Sequence, residues 1–328
     1  MEQIRKHALW VYCETEAGAL LPVGLQLLGK AAELAKEGHL PLCAVVLGPL
    51  TDDSAEQLRH FGADQILWSN GPALTDRLEQ PYADCLIELS KAYEPEILLV
   101  GATAFGRAFA PRVAAALATG LTADCTRLEM DPDTGLLLQT RPAFGGNMMA
   151  TIRTADRRPQ MATVRPGVFS TPEMTEQAET EVLKIPYEGP TSPVRLLKQI
   201  AAVRGTDIGQ SKIIVSAGRG IGQKKNMKLV QALADKLGGS VGASRPLVDL
   251  GYCPYDCQIG QTGHSVSPEL LICCGISGAV QHLAGIGGAK TIIAINTDPT
   301  APIFSVADYK IVGDCVPVLQ ALLDSLGD

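Results

Sequence analysis

Short apolar runs recur along the first part of the chain, separated by stretches in which apolar and polar positions alternate with a helical period. Residues 8–12, 41–47, 65–68 and 97–101 are such runs, and Ile97, Leu98, Leu99 and Val100 follow one another without a polar side chain. Between them, 21–37, 56–61, 82–92 and 106–118 space their apolar residues as one face of a helix does. Strands without a polar face that alternate with helices predict a parallel sheet covered on both sides.

From residue 125 the texture changes. Segments 126–130, 136–140, 150–153 and 160–164 are short and extended, with Asp131-Pro132-Asp133, Gly145-Gly146-Asn147 and Arg157-Arg158-Pro159 between them as turns. They are expected to extend or edge the sheet. Lys184-Ile185-Pro186 and Gly189-Pro190-Thr191-Ser192-Pro193 read as a proline-rich connector, which predicts a domain boundary near 186–208. The division expected is an N-terminal domain over 1–195, a linker over 196–208 and a C-terminal domain over 209–328. In that last part the alternation restarts, with strands at 212–216, 240–242, 270–275, 291–296 and 309–313 and helices at 226–237, 279–284 and 316–326. The fold class is α/β, in two doubly wound domains.

Composition narrows the function. A length of 328 residues, 46% hydrophobic and 19% charged, suits a soluble protein with two sizeable cores. A net charge of -7 and an aromatic content of 5% disfavour nucleic acid and anionic membranes as partners. The nine cysteines are odd in number, scattered and mostly set in apolar runs, as buried reduced thiols would be. Cys253 and Cys257 stand close in sequence, but no second pair follows at zinc-site spacing, so no metal is expected. With no signal-peptide pattern at Met1 and no stretch of membrane-span length, the expected location is cytoplasmic and stable membrane insertion is not expected.

The segment LLICCGISGAVQH over 270–282 is a buried strand that breaks at Gly275, turns through Ser277-Gly278 and feeds a helix. Such a junction offers backbone N–H groups to an anion such as a pyrophosphate, although a strand-to-helix turn also uses Gly for geometry alone. A similar junction over 215–222 lacks the dinucleotide fingerprint, because position 223 is Gln, so an NAD-dependent dehydrogenase is poorly supported. Between them, 241–249 and 258–263 bring one Arg, two hydroxyls and glutamine amides into loops, equipment that a planar redox cofactor needs but an ordinary surface loop also carries.

These segments resemble one family. CGISGAVQHLAGI over 274–286 and IIAINTDPTAPIF over 292–304 are similar to the signature of electron-transfer flavoprotein alpha subunits. VGASRP over 241–246, QIGQTG over 258–263, GLTADC over 120–125 and RPAFGGN over 141–147 resemble the same family, so the likeness spans the chain. It implies an N-terminal parallel-sheet domain of nucleotide-hydrolase-like fold and a C-terminal Rossmann-like domain that binds FAD. By resemblance, Arg245 covers the isoalloxazine, Ser244 and Thr262 hydrogen-bond near its N5 and O4 edge, and a positively charged His282 faces its C2 carbonyl. Gln258, Gln261 and Gly263 line the ring and ribityl chain, Ser277 and Gly278 bind the pyrophosphate, Asn296 and Asp314 hold the adenosine, and Gln281 joins the same set.

The implied function is single-electron transfer as half of a heterodimer with a beta subunit, serving an acyl-CoA dehydrogenase-type flavoenzyme, with the connector as a candidate hinge. The family has a simple shuttle branch, with AMP in the beta subunit, and a bifurcating branch that sends one electron to ferredoxin or flavodoxin. Residues 9–14 and 27–35 resemble the bifurcating branch. From another class, a non-redox nucleotide-binding module would use the same anion-binding turn without needing Arg245, Thr262 and His282 together.

Overall fold

A computed structural model describes residues 4–143, 148–171, 180–190, 192–198 and 208–327. The chain divides into two compact units, the first carried by described residues up to 198 and the second by those from 208. Most of the 196–208 linker expected from sequence, and Phe144–Asn147 of the RPAFGGN segment, lie outside the described residues.

In the first unit a seven-stranded sheet runs, edge to edge, Glu181–Pro186, Gln65–Asn70, Leu42–Leu47, Leu9–Tyr12, Ile97–Gly101, Gln160–Val164 and Leu121–Cys125. Every neighbouring pair is parallel. The alternation of a strand sends Leu9 and Val11 into one core, beside Leu27, Leu28 and Ala31 of the helix Pro22–Gly38. Trp10 and Tyr12 go to the other, against Tyr82 and Leu86 of Glu79–Tyr93 and Phe109 and Val113 of Ala104–Ala116. The central strands therefore need apolar residues at every position.

Of the expectations for the 125–186 region, one holds and two change. Gln160–Val164 extends the sheet, between Ile97–Gly101 and Leu121–Cys125. Arg127–Met130, Leu137–Ala143 and Met148–Ile152 do not extend the sheet; they pair antiparallel in a separate three-stranded sheet. Lys184-Ile185-Pro186 is not a connector but the end of the edge strand Glu181–Pro186, a place where a sheet tolerates proline.

The crossover point of this first sheet, between Leu9–Tyr12 and Ile97–Gly101, is filled by its own side chains. The buried carboxylate of Glu14 accepts from the Thr103 hydroxyl at 2.6 Å and pairs with the guanidinium of Arg77. Arg77 in turn lies 4.8 Å over the Phe105 ring. Burial raises the Glu14 carboxyl above its usual range, and Thr103 and Arg77 only partly offset this.

The second unit is a five-stranded parallel sheet in the order Ser240–Ala243, Ile213–Ala217, Leu270–Cys274, Thr291–Asn296, Tyr309–Val312. Leu270–Cys274 is central, with Cys273 in one core and Cys274 in the other. Met227–Lys236 buries Val230, Leu233 and Ala234, three and four apart, against the sheet. In strand order this is 2-1-3-4-5, so the chain leaves the first strand to one side and returns on the other. A crevice is expected at the carboxyl ends of the first and third strands, where that reversal happens.

Candidate dinucleotide site

A cleft of about 690 Å³ lies at that reversal point, within the size range of small-molecule sites. Gly218–Gly220 follow the first strand, Ser244–Pro246 the second and Gly275–Ala279 the third, while Asn296 ends the fourth. Residues 258–262 and the Gln281 and His282 side of a short helix complete the lining. Ser244, Arg245, Gln258, Gln261, Thr262, Ser277, Gly278, Gln281, His282 and Asn296 are thus brought together from dispersed segments.

Gly263 and Asp314 are not among the lining residues. At Gly263 an added Cβ would come within 2.3 Å of the Gln258 carbonyl oxygen. Asp314 caps the last helix, accepting from the Val316 N–H at 2.9 Å.

The turn after the third strand offers backbone N–H groups, as expected, but with little helix behind it. The helix it feeds, Val280–Leu283, is four residues long, too short for a sizeable dipole. The N–H groups of Ser277, Gly278 and Ala279 donate to no acceptor among the described residues. Gly278 has φ +85°, and a Cβ there would meet the Ile303 nitrogen at 2.2 Å, so only glycine closes this turn. Consecutive free amides around a left-handed residue form an anion-binding concavity without any charged side chain.

His282 is 7% exposed. Its Nδ1 lies 3.1 Å from the Ile259 carbonyl oxygen. A carbonyl only accepts, so Nδ1 carries the proton and, in the neutral ring, Nε2 presents a lone pair. That Nε2 is buried and has no partner among the described residues. Burial lowers the imidazole below its usual value, with the Ile259 bond opposing in part. Arg245, by contrast, is well exposed and lies 3.5 Å from Asp249 one helical turn on.

The loop that carries Thr262 is tied down. Gln258, 3% exposed, donates its side-chain amide to Thr262 Oγ1 at 3.0 Å, and the Tyr255 hydroxyl donates to the Thr262 carbonyl at 2.6 Å. Backbone bonds from His264 N to Gln258 O and from Gln261 N to Gln281 O, each 2.7 Å, fix both ends of the loop. Asn296 holds the far wall by donating to the Ile276 carbonyl at 2.8 Å.

Sequence reasoning undervalued Gly218, Arg219 and Gly220, because their loop fails the nucleotide fingerprint. Their place in the cleft follows from the strand order, which brings the 218–220 and 275–279 turns side by side, with Gly220 N donating to Gly275 O at 3.0 Å. The free amides and the unpartnered imidazole nitrogen meet the needs of an anionic dinucleotide with a polar ring system.

Fold and cleft together define a two-unit α/β protein whose second unit has the strand order and crevice of a nucleotide-cofactor domain. Residues 9–188 match the family described as the Electron transfer flavoprotein domain, and residues 207–287 the Electron transfer flavoprotein FAD-binding domain. An Electron transfer flavoprotein subunit alpha of Thermoanaerobacterium thermosaccharolyticum is 46% identical, over 97% of each chain. The Lactate dehydrogenase (NAD(+),ferredoxin) subunit LctC of Acetobacterium woodii is 41% identical, over 95% of this chain and 75% of that one. The Acryloyl-CoA reductase electron transfer subunit beta of Anaerotignum propionicum is 37% identical, over 97% and 95%. The chain belongs to the electron transfer flavoprotein alpha-subunit family. No helix of the described residues is long and apolar enough to cross a membrane.

Proposed function

We propose that this chain binds FAD in the cleft of its second unit and passes single electrons as the alpha subunit of a heterodimer with a beta subunit. The observation that carries the reading is the convergence, in one cleft, of three backbone amides and a buried imidazole nitrogen that have no partner among the described residues. The amides of Ser277, Gly278 and Ala279 receive the pyrophosphate, and Asn296 stands at the adenosine side. Ser244 and Thr262 face the N5 and O4 edge of the ring, the Arg245 guanidinium lies over it, and His282 faces its C2 carbonyl, to which Nε2 donates in the protonated imidazole. FAD, when bound, supplies one-electron chemistry; the surrounding residues orient it, limit water at the ring and offset negative charge.

The names of two relatives support a branch within the family. One is a subunit of a lactate dehydrogenase that uses NAD(+) and ferredoxin, and the other serves an acryloyl-CoA reductase. On this reading the chain serves an acyl-CoA dehydrogenase-type flavoenzyme, in NADH-dependent bifurcation with ferredoxin or flavodoxin, in the cytoplasm. Purification with the beta subunit and a count of nucleotides tests both levels. Two FAD per heterodimer are expected; one FAD with one AMP would replace bifurcation by a simple shuttle. A colourless protein holding only a nucleotide would overturn the flavin reading.

A further inference from the structure

We propose that the beta subunit adds a strand to the free edge Met148–Ile152 of the three-stranded sheet in the first unit, and that a carboxylate it brings pairs with Arg141. This rests on the heterodimer reading above and names a surface for it. Met148–Ile152 has one neighbour, Leu137–Ala143, so its other side is open. Pro142 shows which backbone groups are left over. It stands opposite Met149 and has no N–H to give. Thr140, opposite Thr151, turns its carbonyl the other way and accepts from the Thr126 N–H at 2.9 Å. The bonds within the pair therefore run through Met148, Ala150 and Ile152, and the N–H and C=O groups of Met149 and Thr151 point outward.

An open edge invites pairing, and chains usually blunt it with charge, proline or a bulge. This strand is apolar instead. Met148 is 59% exposed, Met149 56% and Ile152 39%, and successive positions put them on both faces. Beside them stands a cation without a counterion. Arg141 lies opposite Ala150, so its side chain shares the face of Met148 and Ile152. It is only partly exposed, its Nε is buried without an acceptor, and it makes no ion pair among the described residues. Residues 107–165 carry eight arginines, no lysine and five carboxylates, in a chain whose net charge is -7. A second copy of this chain would set arginines against arginines, whereas a strand that carries carboxylates meets the charge. Backbone pairing, apolar side chains on alternate faces and an arginine–carboxylate pair are the components of strand addition between proteins.

The test uses the FAD-loaded heterodimer. Amide hydrogen exchange, read by mass spectrometry with residue-level fragmentation, is expected to find Met149 and Thr151 as slow as Met148 and Ala150, although nothing within this chain holds their N–H groups. Met149→Pro takes away one outward N–H and leaves the bonds to Leu137–Ala143 in place. It is expected to weaken the heterodimer about tenfold, measured by sedimentation over a dilution series. Arg141→Met, which strands the partner's carboxylate, is expected to weaken it about a hundredfold. Both variants are expected to keep their flavin, which sits in the other unit.

Should the proline variant fail to fold, Arg141→Met and the exchange pattern of the unaltered heterodimer decide the matter. If Met149 and Thr151 exchange as free amides in the intact heterodimer, or if both variants assemble as tightly as the parent, strand addition at this edge is overturned and the heterodimer reading stands. Protection of the same two amides in a dimer of this chain alone, and not in the heterodimer, would overturn the choice of partner. If the chain and the beta subunit do not associate at all, the heterodimer reading fails, and the strand addition falls with it.

Discussion

At the scale of the residue, two cations that the sequence presents alike behave differently. His282 is buried and held below the ordinary histidine value of about 6.5, so the unfolded chain takes up this proton before the folded one does. The resulting stability is complete above that value and falls as pH drops below it. In flavin-free protein, melting temperatures measured on either side of it are expected to show this loss, and His282→Gln to flatten it. An equal pH dependence in the variant would assign the loss to other groups. Arg245 has a side chain 64% exposed, so its field at the ring is screened. Arg245→Ala is expected to lower the flavin's first-electron potential by the equivalent of about 1 kcal/mol, and the gap to narrow at high salt. A potentiometric titration at two ionic strengths reads both effects. The cleft's lining was legible at this scale through the motifs that carry Arg245, Thr262 and His282. The burial of His282 was not, because it depends on the packing of its helix and on a carbonyl 23 positions away in sequence.

At the scale of the element, the Gly275–Ala279 turn decides whether an anion can bind. A side chain at 278 would demand a left-handed backbone and collide with the Ile303 nitrogen. Gly278→Val is therefore expected to destabilise the second unit by about 2 kcal/mol and to abolish flavin retention. Urea denaturation and the flavin absorbance of purified protein measure the two effects. The turn could be read from the strand before it, as could the central strands of both sheets, since burial on two faces leaves a run of apolar residues. Lateral position could not. Gln160–Val164 and Glu181–Pro186 differ in place, centre against edge, yet each is five or six residues of similar texture. Which neighbours they find is set by pairings across more than sixty positions, as with Gln160 beside Ile97. The helix after Gly275 was overestimated for a similar reason: its apolar pattern continues past Leu283, but Gly285, Gly287 and Gly288 do not sustain a helix.

At the scale of the whole molecule, each of the two units has its own cores, and a ligand of one stabilises that one by mass action. Calorimetry of the flavin-free chain is expected to resolve two transitions. FAD at about one hundred times its dissociation constant should raise only one of them, by about 2.7 kcal/mol of stability. A rise in both would mean that the units unfold together.

The Glu14–Arg77 link gives the first unit a different standing from the second. Both sheets have a strand reversal where nucleotides dock in open α/β folds, and in the first that berth is taken by a carboxylate the chain supplies itself. An incoming phosphate would meet a like charge and have to evict it from its hydroxyl and guanidinium.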